Sequence, residues 1–337
     1  MEGELKAQSL LPGCSRNGVE DGCLVVAYEG RSRMRTLTVR SGEKLRTQHG
    51  EFHHDAWIGA KFGRKAFATA SCGSKRRRVA DERKERDSTT PAGNGDPQKD
   101  AVASRKAWIY LLAPTPELWT RTLSHRTQVL YVADISLAIG RMGLKPGMHV
   151  LESGTGSGSM THSLARAVAP SGRVDSYEFH EARALAAQAE IESHGLGDFV
   201  KVHVRDVQKD GFPVEEDRKA DAVFLDVPGP WEAIPSLAKG LKEDATLCSF
   251  SPCIEQVQKT CAAMATVGGF SDFRTFEILL RQYDVFTHRT KPLDSDGSAE
   301  ELAASTSSGV VCKPLMDARG HTGYLLFARR DVVVEGA

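Results

Sequence analysis

Three carboxylates and a run of glycines carry the chemistry that can be read from this chain. The glycines lie in Leu151–Ser159, LESGTGSGS, as Gly154, Gly156 and Gly158. Without a Cβ, such residues let the backbone turn tightly and approach a ligand closely. Glu178 follows Gly156 by 22 residues. At the end of a second strand, a carboxylate at that distance accepts both hydroxyls of an adenosine ribose. That pair fits a nicotinamide dinucleotide and S-adenosylmethionine equally. Asp206, closing VHVRDV, and Asp226, before Val227-Pro228, add two further acids. An acid at the first position suits an adenine amino group, and one at the second suits an amine-bearing ligand. Singly, each serves as well as a helix cap or turn former. Acids at three successive strand ends favour an adenosine cofactor, with S-adenosylmethionine preferred.

Such groups need a sheet to hold them, and the apolar pattern supplies one. Strand-like runs at His149–Glu152, Val174–Phe179, Val200–Val204, Ala222–Asp226 and Ala245–Phe250 alternate with helical stretches. The helices are expected at Thr127–Met142, Ser159–Val168, Glu181–His194, Trp231–Leu241 and Ile254–Val267. Alternation of this kind predicts a parallel sheet covered on both faces. Arg274–Leu280 and Tyr324–Ala328 are further strand candidates, and Thr287–Gly320, rich in Ser, Asp, Gly and Lys, is expected to be a mobile loop. Upstream, CLVVAYEG and MRTLTVR flank a Gly-Arg-Ser turn and predict a hairpin. With the AWIYLL run at Ala107–Leu112 they outline a β-rich module over 20–112, after a loose tail at 1–19.

The 337 residues are 40% hydrophobic, enough for a sizeable core, with no run near the ~20 apolar residues of a membrane helix and no secretory leader pattern. An intracellular protein without a membrane role is expected. Seven scattered cysteines form no C-x-x-C pair, so neither a disulfide framework nor a metal site is expected. The zero net charge hides an asymmetry: residues 1–100 hold 19 basic and 14 acidic side chains, the remainder 25 and 30. Much of that excess lies in 61–86, with ten basic and three acidic residues, overlapping a low-complexity block at 71–105. Its KRRR at Lys75–Arg78 suits nuclear import, a nucleic-acid contact or simple solvation.

Seven segments together, HRTQVL (His125–Leu130), ESGTGSGS (Glu152–Ser159), EFH (Glu178–His180), ADAVFLDVP (Ala220–Pro228), PWEA (Pro230–Ala233), CSFSPCIEQVQ (Cys248–Gln258) and HTGYL (His321–Leu325), resemble the catalytic subunit of eukaryotic tRNA (adenine-58-N1)-methyltransferases. The resemblance covers roughly 20–72 and 106–330, and CSFSPCIEQVQ is its most specific part. It implies a class I methyltransferase fold, α/β and Rossmann-like with a mostly parallel seven-stranded sheet over 113–330, plus a small N-terminal β domain. It implies S-adenosyl-L-methionine as methyl donor and tRNA as acceptor. A paralogous non-catalytic subunit would complete a heterotetramer, and a nuclear location is expected.

Residue by residue, the resemblance puts Leu130, Gly154, Gly156, Ser157, Gly158 and Ser159 at the cofactor's methionine part. Glu178 and Arg183 fall at its ribose, Asp206 and Val207 at its adenine, and Asp226 at the methyl-transfer centre as the catalytic residue. His125, Arg126, Thr127, Gln128, Pro228, Ser249, Phe250, Ser251, Pro252, Gln256 and Thr322 fall to the target-base pocket. Arg46, Gln48, His49 and Gly50 match a stretch that touches RNA. Gly229 stands where the family usually has serine, and Ser124 where it has proline. The competing readings are methylation of another RNA position or of a protein carboxylate, a non-catalytic tRNA-binding subunit, and a nicotinamide-dependent dehydrogenase.

Overall fold

The computed structural model describes residues 18–30, 33–69, 107–123, 127–213, 218–290, 307–316 and 320–332. Residues 1–17 of the expected tail 1–19, the basic block 71–105 with Lys75–Arg78, and Ser124, His125 and Arg126 lie outside these residues, while Val19 belongs to the N-terminal core and not to a tail.

The N-terminal part is β-rich, as its alternation predicts. β1 (Leu24–Gly30) and β2 (Arg33–Thr38) form the hairpin, and β3 (Lys44–Thr47) pairs with β4 (Gly50–His53). β5 (Lys65–Phe67) and β6 (Trp108–Leu112) complete a four-stranded sheet in the order β2-β1-β6-β5. Inward residues of these strands, among them Val25, Phe52, Ile109 and Leu111, close around Trp57 and Val19. Val19 is buried and its N–H donates to the Ala60 carbonyl, 2.8 Å.

A short helix not foreseen in the sequence follows, α1 (Pro116–Thr122). Thr115 caps it by accepting from the Leu118 N–H at 3.3 Å, and Pro116 occupies its first position, where a missing N–H costs nothing. α2 (Val132–Arg141) begins five residues later than the apolar spacing from Thr127 predicts. The Thr127 N–H donates to the Ser157 hydroxyl, 3.1 Å, which anchors that stretch against the glycine loop rather than in a helical turn.

The alternating part then runs β7 (His149–Ser153), α3 (Ser159–Val168), β8 (Arg173–Glu178), α4 (Glu181–Ser193), β9 (Val200–Val204), α5 (Val207–Asp210), β10 (Ala220–Leu225), α6 (Pro230–Gly240), β11 (Leu241–Ser251), α7 (Ile254–Val267) and β12 (Phe270–Glu277). β13 (Tyr283–Thr290), β14 (Ser307–Pro314) and β15 (Tyr324–Arg330) end it. The seven-stranded sheet has the order β12-β15-β11-β10-β7-β8-β9. β11, β10, β7, β8 and β9 are parallel neighbours, and β15 inserts antiparallel between β11 and β12.

Alternate residues of each strand feed different cores, because successive side chains point to opposite faces. Ala222 and Phe224 join Val150, Leu164 and Phe327 on one face. Val223 and Leu225 join Ile234, Leu237, Val257 and Met264 on the other. The chain walks outward from β7 to β9 and returns to β10 beside β7, which makes the β7–β10 boundary the switch point where ligands of such sheets bind.

One expectation fails here. The stretch 287–320 is not a loop throughout: β13 and β14 form an antiparallel ladder from Tyr283↔Pro314 to Thr290↔Ser307. Within 287–320 the apolar strand formers Val310-Val311 are too brief to outweigh the polar residues around them in sequence.

Candidate active site

The glycine loop leaves β7 at the switch point. Gly154 has φ +98°, and a Cβ there would run into the carbonyl oxygen of Asp226. Gly156 has φ +52°, and a Cβ would sit 2.6 Å from the Thr127 hydroxyl. Both positions therefore need glycine on conformational and steric grounds. Gly158, at φ +78°, starts α3. Behind it the His162 ring donates through Nδ1 to the Gly158 carbonyl at 2.6 Å, so its Nε2 faces His194 Nδ1, 2.9 Å away, as an acceptor. Burial pushes His194 down to about 4, so that ring is neutral at pH 7.

Ser157 and Ser159 are buried, and their hydroxyls serve the loop itself. Ser157 receives Thr127; Ser159 pairs with Thr120 at 2.8 Å and reaches the Leu130 carbonyl at 3.5 Å. Leu130, Gly154 and Gly156 line a cavity of about 600 Å³, whereas Ser157, Gly158 and Ser159 do not line it.

Glu178, at the end of β8, is 3% exposed, and both its oxygens are engaged. Oε1 accepts from Arg183 Nη2 at 2.6 Å, Arg183 Nε at 3.1 Å and the His180 N–H at 3.1 Å. Oε2 accepts from the Gly156 N–H at 3.1 Å, which ties the loop to the neighbouring strand. Asp206 caps α5 through the Gln208 and Lys209 N–H groups at 3.1 and 3.4 Å. The Lys209 ammonium, 3.0 Å from Oδ2, leads the effects that hold its carboxyl below the usual range. Capping and cavity lining are thus both true of Asp206, and Val207 lines the same end.

Asp226 follows β10, its N–H donating to the Ser153 carbonyl at 2.8 Å. No described residue donates a hydrogen bond to its carboxylate. Burial alone raises it to about 7. One acid in this group was not singled out from the sequence. Glu152, 1% exposed on β7, accepts from Thr161 at 2.7 Å and Ser176 at 2.6 Å through Oε2, while Oε1 has no partner. Burial, with the charge of Asp226 adding to it, raises Glu152 to about 7 as well. Its signal was the glycine motif, in which it reads as a strand residue.

The cavity is lined also by Thr127, Gln128, Pro228, Phe250, Pro252 and Gln256, with Thr322 and His321. Gln256 braces two turns: its Nε2 donates to the Pro228 carbonyl at 2.9 Å, and its Oε1 accepts the Cys253 N–H at 3.2 Å. Ser249 and Ser251 are buried under this wall with hydroxyls that have no partner, and neither lines the cavity. Gly229 starts α6; a Cβ there would sit 2.7 Å from Gln208 Nε2, disturbing its 2.8 Å bond to Glu232. His321, Asp134 and Tyr177 also line the cavity, and the sequence did not single them out.

Arg46, Gln48, His49 and Gly50 sit together on the β3–β4 hairpin and do not line the cavity. Arg46 pairs with Glu51 at 3.0 Å, and His49 lies 3.0 Å from an Arg33 nitrogen. Among the described residues no His, Cys, Asp and Glu cluster could hold a metal ion, and no helix is long and apolar enough to cross a membrane.

The family model described as tRNA methyltransferase complex GCD14 subunit matches residues 107–303. A tRNA (adenine(58)-N(1))-methyltransferase catalytic subunit TRM61 of Cryptococcus neoformans is 40% identical over 275 residues, 81% of this chain and 55% of that protein. The chain therefore spans about half the length of that relative. The catalytic subunit trmt61a of Dictyostelium discoideum is 34% identical over 335 residues, 92% of this chain and 96% of that protein. In structure, the chain is similar to a SAM-dependent O-methyltransferase from Thermotoga maritima (TM-score 0.70, 24% identity, 96% and 98% of the two chains covered). It is similar also to the tRNA (m1A58) methyltransferase TrmI from Aquifex aeolicus (TM-score 0.64, 22% identity, 94% and 100% covered). At those identities the structural likeness establishes the Rossmann-like methyltransferase fold with its small N-terminal sheet.

Proposed function

This chain belongs to the GCD14 family of tRNA methyltransferase complex subunits, and from that premise we propose that it transfers a methyl group from S-adenosylmethionine to N1 of adenine 58 in the tRNA T-loop. The observation that carries the proposal is Asp226. It is a half-buried carboxylate at the switch point to which no described residue donates, lining the cavity between the glycine loop and the Pro228–Pro252 wall.

The residues present fit the cofactor. Gly154 and Gly156 leave room where any side chain would intrude, and Glu178 and Asp206 stand at the adjacent strand ends. Glu178, steadied by Arg183, would hold the ribose, and Asp206 with Val207 the adenine. Leu130 and the loop backbone at Gly154 and Gly156 would hold the methionine part, with Ser157 and Ser159 fastening that loop. When bound, S-adenosylmethionine supplies a methyl carbon already activated by a sulfonium.

The acceptor N1 has its own lone pair, so the protein need not remove a proton to make a nucleophile. Its work is alignment, worth up to ~7–11 kcal/mol of a barrier. Thr127, Gln128, Phe250, Pro252, Gln256 and Thr322 would clasp the purine, with His125 and Arg126, which precede Thr127 in sequence, as further candidates. Methylation leaves the purine positively charged, and the Asp226 carboxylate stabilises that charge as it forms. Drawing the base out of the T-loop costs a few kcal/mol. Arg46, Gln48, His49 and Gly50 would contribute RNA contacts toward that cost.

The reading includes a paralogous non-catalytic subunit, in a heterotetramer of two and two, and a nuclear location. The first is supported by the β13–β14 hairpin, which leaves Val285 68% and Val310 76% exposed. Apolar side chains so presented suit a partner surface. The test is direct. The chain, alone and with its partner subunit, is incubated with labelled S-adenosylmethionine and tRNA, and the methylated nucleoside is mapped. Label in 1-methyladenosine at position 58 is expected with the partner present; label elsewhere or in protein would overturn the reading.

A further inference from the structure

Three consecutive residues entering β15 carry one wall of the cavity, and each is fastened differently. Gly323 lies flat against Phe250, so that a Cβ would enter the phenyl ring. The Thr322 hydroxyl donates to the Asp134 carboxylate at 3.1 Å. His321 bridges two elements: Nδ1 lies 2.5 Å from Glu277 Oε1 at the end of β12, and Nε2 lies 3.0 Å from the Pro252 carbonyl beyond β11.

Neither partner gives the ring a choice. A carbonyl oxygen only accepts, an ionised carboxylate only accepts, and a neutral imidazole carries a single N–H. Both contacts are hydrogen bonds only when His321 is an imidazolium. The titratable and charged groups facing it among the described residues are Glu277 on β12 and Asp134 on α2, both acidic. The remaining ring neighbour is Tyr324, 4.8 Å away. The Pro252 carbonyl first, and Glu277 second, hold the imidazolium above its usual range.

We propose that His321, as an imidazolium, is a positioning residue that holds the Pro252 wall of the acceptor pocket in place, so that acceptor binding weakens when His321 loses its proton. The proposal rests on reading that wall of the cavity as the acceptor's. Its sign follows from the bridge. A histidine whose folded pKa lies above the unfolded value has its brace complete below about 6.5. The brace is lost as pH rises through the folded value. Deprotonation leaves a lone pair facing either a carbonyl or a carboxylate, and the Pro252 turn is released from β12.

The experiment uses the full chain with its partner subunit, as wild type, Glu277→Gln and His321→Gln. KM for tRNA and kcat are measured between about pH 6 and 9, with S-adenosylmethionine affinity measured separately. For the wild type, KM for tRNA rises on the alkaline side while cofactor affinity holds and kcat, which climbs as Asp226 ionises near pH 7, stays level above it. Glu277→Gln moves that rise to lower pH. His321→Gln has a KM about tenfold higher at pH 6.5 and no rise of its own, as expected for losing a charge-assisted hydrogen bond. A nitrogen-detected NMR titration of His321 in the full chain gives a pKa above the ordinary value, lowered by Glu277→Gln. A wild-type His321 titrating at or below the ordinary value, or a His321→Gln profile with the wild-type alkaline rise, would overturn the proposal. Absence of tRNA methylation by the wild-type complex would sink the functional reading, while the NMR titration still judges the bridge.

Discussion

Glu178 and Asp206 have every carboxylate oxygen engaged by the protein; across the switch point, no described residue donates to the Asp226 carboxylate and Glu152 keeps one oxygen bare. All four acids stand at strand ends or in the loop that leaves them. The difference lies in what surrounds them. Arg183, Lys209 and several N–H groups give the first pair a settled charge and a settled direction, so a ligand meets an acceptor already aimed. The second pair, Glu152 buried and Asp226 half-buried, has no ion pair with a described cation and sits near neutrality on the pH scale, so its charge responds to whatever cation enters. One pair grips, and the other answers to a change of charge.

The comparison breaks most readily at Asp226. Asp226→Asn should lower kcat at least ~100-fold in steady-state methylation assays, the scale of losing a preorganised electrostatic partner. The same variant should gain stability above neutral pH. Asp226 has a folded pKa raised to about 7, so its contribution to stability is full below the unfolded carboxylate value and lost as pH rises through about 7. Thermal melts at pH 5 and 8 should show a smaller alkaline fall for the variant, with Glu152 accounting for the fall that persists. A variant that loses stability at pH 8 would break the contrast.

Next in size is Gly154→Ala, where φ +98° and the Asp226 carbonyl leave no place for a methyl group. A loss of at least ~1 kcal/mol in denaturant melts is expected, together with weakened cofactor binding by calorimetry. Glu178→Gln should weaken cofactor binding about tenfold with kcat little changed, because it removes the charge from its contact with Arg183 without altering shape. Asp206→Ala should have the smallest effect, the loss of a helix cap at about 1 kcal/mol. Its companion rise in KM for S-adenosylmethionine should stay below that of Glu178→Gln.

The sheet, the glycine loop and the three acids were legible because each follows from local rules. Alternating apolar runs announce strands, glycines announce tight backbone, and the spacing of acids tracks strand ends. α1 was not legible, since seven residues give too little periodicity and its stability comes from a cap and from Trp119 packing in the core. The late start of α2 was hidden too, because the Thr127–Ser157 bond that delays it joins residues thirty apart. Glu152 and His321 became significant only through neighbours brought from other strands. Ser157 and Ser159 show the converse: their place in the motif was clear, yet their hydroxyls turn inward to fasten the loop.

Gly154 and Asp226 touch with no side chain between them, and the Asp226 N–H is bonded to the residue before Gly154. The loop that would receive the methyl donor and the acid beside the acceptor therefore move as one piece of backbone. Retuning either by substitution disturbs the other. An engineer seeking a new acceptor for this scaffold must leave that junction alone and work from the opposite wall. There Phe250 and Thr322 line the cavity from β11 and from the segment before β15, outside that junction.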